Sequence, residues 1–232
     1  MGAETDFYAE DVRNRDLDRY LASLYAPAAI RPALQTLFAL DIALGRVIAT
    51  TNEPMIGAMR IAWWRESLEK IHRTPVPAEP VLQAVAANLV AGDAAMAARL
   101  AAITNAWLSL IEPESLDDEA IRDHAELRGG ALFMLAAQLL GAVSPDEMLR
   151  QAGVGWAMVD LAHGVSDRAA ADRALALARP LLARLPRVER AARPLLALAA
   201  LARRDACAGG RRHPPGSPCR QMRMMAARLF GR

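Results

Sequence analysis

Between residues 29 and 51 the chain sets Leu34, Leu37, Phe38, Leu44, Val47 and Ile48 three or four positions apart, or at multiples of that spacing. Such intervals gather side chains on one face of a helix; a strand, with its period of two, would scatter them. The same pattern recurs between proline and glycine punctuation along most of the chain. Alanine and leucine, strong helix formers, dominate a composition that is 53% hydrophobic and only 5% aromatic. That content supports a sizeable core and excludes bulk disorder.

The periods predict helices over Asp11–Leu24, Ala29–Thr51, Met55–His72, Val81–Val90 and Asp93–Leu110. The next helix opens at Ser115 as N-cap, with Asp117, Asp118 and Glu119 favouring its N-terminal dipole, and runs toward Leu140. Ser144 caps another, Pro145 to about His163. Arg168–Leu185, Arg187–Ala202 and a short basic helix, Arg220–Phe230, complete the set. With no competing strand signal the fold class is all-α, a single bundle of about eight to ten helices. The expected division is a helical domain over 1–207 and a basic C-terminal tail over 208–232.

Charge is unevenly spread. Net charge is +2, yet residues 200–232 carry eight arginines against Asp205 alone, which leaves −5 for the rest. Arg220, Arg223 and Arg228 are the expected tail contacts, opposite Met225, Leu229 and Phe230. Such a helix can lie on an anionic membrane or dock on the protein's own body. Cys207 and Cys219 lack zinc spacing and read as free thiols. The segment MGAETDFYAEDVRNRD is acidic and polar, unlike a secretory leader. Ala131–Val143, broken by Gln138, is too short to span a bilayer. The expected location is cytoplasmic, with peripheral attachment to the inner membrane as its membrane role.

Four segments carry a family resemblance: RDLDRYLASLYAP at 15–27 with Arg31 and LQTLFAL at 34–40; RIAWWR at 60–65; HAELRGGALFMLAAQLLG at 124–141; and AGVGWAMVDLAHGVSD at 152–167. In order and spacing they resemble the squalene/phytoene synthase family, including its complex I assembly-factor branch. The resemblance implies the isoprenoid synthase fold. Catalytic members join isoprenoid diphosphates head to head, using magnesium held by carboxylates on two facing helices. In this chain Gly45, Arg46 and Ala49 fall at the first set of acidic positions, and Gly164 and Arg168 at the second. Asp41 lies a turn early, Asp160 falls where an amide is usual, and Asp167 points about 100° off.

The resemblance therefore implies a pseudoenzyme, a non-catalytic binding or assembly factor with no catalytic residues and no cofactor. The alternative is an active prenyl-diphosphate transferase in isoprenoid biosynthesis, and magnesium enters only there. Candidate cavity or ligand contacts are Tyr20, Arg31, Asp41, Trp63, Trp64, Gly129, Gly130 and Asp160. Trp63 and Trp64 point about 100° apart, so one can enter the core while the other faces a groove. Arg31, Arg46, Arg60 and Arg65 favour salt bridging with Glu53, Glu66 and Glu69 over an anion site. Gly129-Gly130 permits close helix approach. His124, beside Asp123 and Glu126, reads as helix surface. Glu114/Asp118 and Glu119/Asp123 read as a solvated acidic helix start. A cavity between the Ala29–Thr51 and Pro145–His163 helices is expected, without a carboxylate cluster. Expected partners are an isoprenoid lipid, an anionic membrane surface or a protein, and not nucleic acid.

Overall fold

A computed structural model describes residues 7–51, 53–111, 116–143 and 147–231, and every regular element among them is helical. The chain starts with α1 (Phe7–Arg15) and α2 (Leu17–Ser23), where the periodicity predicts one helix. Asp16 separates them. Its non-helical backbone (φ −143°, ψ 85°) ends α1, and its carboxylate accepts a hydrogen bond from the Arg19 amide to cap α2. α3 (Arg31–Ala49) and α4 (Pro54–Lys70) each carry proline in the first turn, where no intrahelical donor is lost.

α5 (Pro80–Val85) is capped by Glu79 and passes into a wide π turn, Ala86–Val90. Ala91 and Gly92 then reverse the chain through positive φ, and Asp93 caps α6 (Ala94–Leu108). α7 (Asp118–Ala125) is capped by Asp117. The expected caps Ser115 and Ser144 lie outside the described residues. A second π turn, Glu126–Gly130, joins α7 to α8 (Ala131–Leu139). α9 (Glu147–Gly164), α10 (Arg168–Leu182), α11 (Arg193–Cys207) and α12 (Pro218–Phe230) follow.

α3 and α9 are the two central helices. Leu34, Leu37, Phe38 and Leu44 of α3 are sealed in the core. In α9 every residue from Ala152 to Val159 is buried. α3 is long and apolar enough to cross a bilayer, but that buried stripe belongs to the core. α9 packs on α10 and α11 and on the second π turn; α3 packs on α1, α2, α4 and α5.

Glycine sets the closest crossing. A Cβ on Gly129 would lie 2.2 Å from the Gly153 carbonyl oxygen, and one on Gly153 would lie 2.4 Å from that of Gly129. Only paired glycines allow this approach. Gly153, Ala157 and Asp160 share a face of α9, so the crossing sets the π turn, with Arg128, against Asp160.

α12 is not a loose tail. It packs along α11, with Met224 and Ala227 buried. Arg220, expected as an exposed contact, is only 4% exposed. Arg223 stays exposed and Arg228 is half-buried.

Candidate functional site

Four charged side chains meet between α3 and α9. Asp41 comes from α3, Asp160 from α9, Arg19 from α2 and Arg128 from the π turn. Arg128 forks onto Asp41, with Nε donating to Oδ1 at 2.9 Å and Nη2 to Oδ2 at 2.8 Å. The same Nη2 donates to Asp160 Oδ2 at 2.6 Å. Arg19 donates to Asp41 at 2.7 Å and to Asp160 at 3.3 Å, and its Nε lies 2.9 Å from Asp16. The Asp41 side chain is fully buried, while that of Asp160 is 28% exposed.

Two tryptophans wall this inner cluster. The Arg128 guanidinium lies 4.5 Å from the Trp107 ring centre and 5.1 Å from that of Trp156; Arg19 lies 4.8 Å from Trp156. Desolvated guanidinium groups gain from such aromatic faces. Burial alone would push the Asp41 and Asp160 carboxyls up, but Arg128 and Arg19 hold both below the ordinary carboxylate range. Asp16, with weaker compensation, is pushed up by burial. His124 is fully buried, not surface as expected. Its Nδ1 bonds the Ala106 carbonyl at 2.6 Å, and its ring meets Trp107 edge-on. Burial, reinforced by the Arg128 charge, lowers its pKa to about 4.

An outer cluster gathers on Asp18, the α2 residue next to Arg19. Arg220 donates to Asp18 at 2.6 Å and to Asp205 at 2.8 Å. Arg212 reaches Asp18 and Arg204 reaches Asp205, each at 2.8 Å. A polar cavity of about 30 Å³ separates the clusters, lined by Asp16, Asp160, His163, Asp205 and Arg212 among others. It has room for one or two waters.

Of the expected contacts, Asp41, Asp160, Gly129 and Gly130 come together here. The others do not. Tyr20 faces Arg13, and Arg31 bonds the Ala26 carbonyl at 3.0 Å. Trp64 is buried and Trp63 is 44% exposed. With Arg46 and Arg60, both line a separate groove between α3 and α4. Of the expected surface pairs, Arg65 binds Glu69, whereas Glu66 binds Lys70 and Arg60 bonds Thr51.

The expectation of no carboxylate cluster between α3 and α9 is corrected, since Asp41 and Asp160 meet there with arginines between them. Gly45 is covered by Trp107, whose ring would be 2.9 Å from an added Cβ. Arg168 pairs with Asp172 on the surface, Gly164 borders open space, and Asp167 caps α10. Ala49 ends α3. Glu114 lies outside the described residues, and Asp118 pairs with Arg122 at the surface. Among the described residues no three His, Cys, Asp or Glu side chains group to hold a metal.

Sequence reasoning missed Arg19, Arg128, Trp107 and Trp156. Arg128 offered one signal, a charge placed directly before two glycines and an apolar run.

The architecture is that of an all-α isoprenoid synthase. It matches the crystal structure of a dehydrosqualene synthase in complex with ligand at a TM-score of 0.66 and 11% identity, over 98% of this chain and 96% of that one. A family model for squalene/phytoene synthase matches residues 12–213, and the chain belongs to that family. It is similar to NADH dehydrogenase (ubiquinone) complex I, assembly factor 6. The human protein is 33% identical over 147 residues, 59% of this chain and 41% of that protein. The Bos taurus protein is 32% identical over 152 residues, 61% of this chain and 43% of that protein. The chain thus spans less than half the length of these relatives.

Proposed function

We propose that this chain is a non-catalytic binding or assembly factor built on the squalene/phytoene synthase fold, with a protein as its partner. The observation that carries this reading is the inner cluster. Magnesium needs carboxylate oxygens free to coordinate it. Here Asp41 and Asp160 already accept five hydrogen bonds from Arg19 and Arg128. Two guanidinium charges in the same space would repel a divalent cation. This arrangement supports a reading without the metal-dependent chemistry of catalytic relatives. Similarity to complex I assembly factors supports a protein partner.

Calorimetry and turnover assays with magnesium and farnesyl or geranylgeranyl diphosphate test the reading. The expected result is no magnesium-linked binding and no diphosphate release above the protein-free control. Micromolar magnesium-linked binding, or turnover, would overturn it in favour of a prenyl-diphosphate transferase.

A further inference from the structure

α4 is apolar on two sides. Gly57, Ile61, Trp64 and Leu68 face inward and are buried. Met55, Ile56, Met59 and Trp63 form a second row that faces outward, exposed by 76%, 45%, 66% and 44%. A surface helix needs only one apolar stripe to hold it to its own core. With Val47 of α3, most of the second row lines an apolar groove of about 550 Å³. The Trp63 ring stands edge-on to buried Trp64 with centres 5.6 Å apart, and offers the groove a large aromatic surface.

Two arginines flank the groove, Arg46 on one wall and Arg60 on the other, and outnumber the acid Glu79 in its lining. Thr51 holds Arg60 at 2.9 Å. Among the described residues neither arginine is paired with a carboxylate, although the surface pairs Arg65–Glu69 and Lys70–Glu66 lie one or two turns along α4. From residue 55 to 63 the row runs about 12 Å along the helix axis, just over two turns.

We infer that this groove receives an amphipathic helix of a partner protein, apolar at i, i+4 and i+7, with Asp or Glu set to meet Arg46 and Arg60. This rests on the binding-factor reading above. The occupant follows from the surface. A two-turn apolar trough is the counterpart of such a helix, methionines adapt to its side chains, and the arginines call for acids. A flat bilayer fits less well, because the surface is concave.

The test uses the full chain and a phage-displayed library of amphipathic helices of roughly four turns. Enriched peptides are expected to carry the apolar spacing with flanking acids. Met59→Asp, at an exposed position where the fold tolerates charge, should weaken them at least tenfold. Arg46→Glu with Arg60→Glu should do the same, and exchanging the peptide's acids for lysine should restore binding. Melting temperatures of all variants should match the parent.

Equal binding to Met59→Asp, no enrichment of the pattern, or no rescue by charge exchange would overturn the inference. So would Met59-dependent self-association, or Met59-dependent binding to vesicles of phosphatidylcholine and phosphatidylglycerol. None of these outcomes touches the binding-factor reading, which stands or falls on the magnesium assays.

Discussion

The inner and outer clusters use the same chemistry, arginine against aspartate, in opposite styles. In the inner one, Arg19 and Arg128 are almost wholly buried between tryptophans, and each serves both Asp41 and Asp160. In the outer one each acid has a reserve partner nearer solvent: Arg212 for Asp18 and Arg204 for Asp205, with side chains 34% and 21% exposed. Adjacent residues of α2, Asp18 and Arg19, belong to different clusters. The inner cluster is thus a joint whose arginines and Asp41 are shut away from water, and the outer one a fastening whose second arginines stay in contact with solvent. Removing one member of an ion pair costs most where water cannot reach the charge left behind.

The largest effect that would break this contrast is at Arg128. Arg128→Met should destabilise the fold by about 3–5 kcal/mol, because Asp41 is left buried and under-paired. Adding Asp41→Leu should recover part of the loss. Urea unfolding of the single and double variants checks both, and a cost under about 1 kcal/mol would make the inner joint no stronger than a surface pair.

The next effect is set by pH. His124 has a folded pKa of about 4 against about 6.5 unfolded. The unfolded chain therefore binds the extra proton between those values, and stability falls as pH drops through that window, by on the order of 3 kcal/mol. Asp41 and Asp160, held low, lose their contribution only below about pH 4. Comparing unfolding of the parent and His124→Gln from pH 7 to 4 isolates the histidine. The variant should lose the slope between 6.5 and 4 and keep the acid collapse below it; identical slopes would refute this.

At the outer cluster Arg220→Met should cost about 1–3 kcal/mol, less than Arg128→Met, since Arg212 and Arg204 remain and are open to water, whereas Arg19 is buried. It should also free α12 to limited proteolysis while the rest of the bundle resists. Arg212→Ala should matter least, under about 1 kcal/mol, and its effect should fade with added salt. A salt-insensitive Arg212 or a costlier Arg220 would reverse the proposed ranking of the clusters.

Much of this architecture is legible in local spacing. The apolar stripe of α3 and the prolines opening α3 and α4 follow local spacing, and the glycine pair before α8 is itself a mark of close helix approach, although its partner Gly153 lies far along the chain. The split at Asp16 is missed because a cap and a helix interior look alike to apolar periodicity. Asp41 and Asp160 stand out as acids near the family's metal positions. Their partners do not, because Arg128 is 87 residues from Asp41 and Arg19 is 22 away, and only the assembled bundle brings them together. The tail shows the same limit. Eight arginines near the C-terminus suggest a free basic surface, but Arg204, Arg212 and Arg220 are engaged by Asp18 and Asp205.

The bond between Asp18 and Arg220 spans 202 residues. At 5–20 residues per second, a ribosome adds the arginine roughly 10–40 s after the aspartate. For that interval the acid lacks its main counter-charge, and burying it would be costly. The seam between α2 and α11 is therefore among the last to close during synthesis. Until then the growing chain shows an open edge to chaperones and proteases, and protease sensitivity of stalled nascent chains should drop only once Arg220 has emerged.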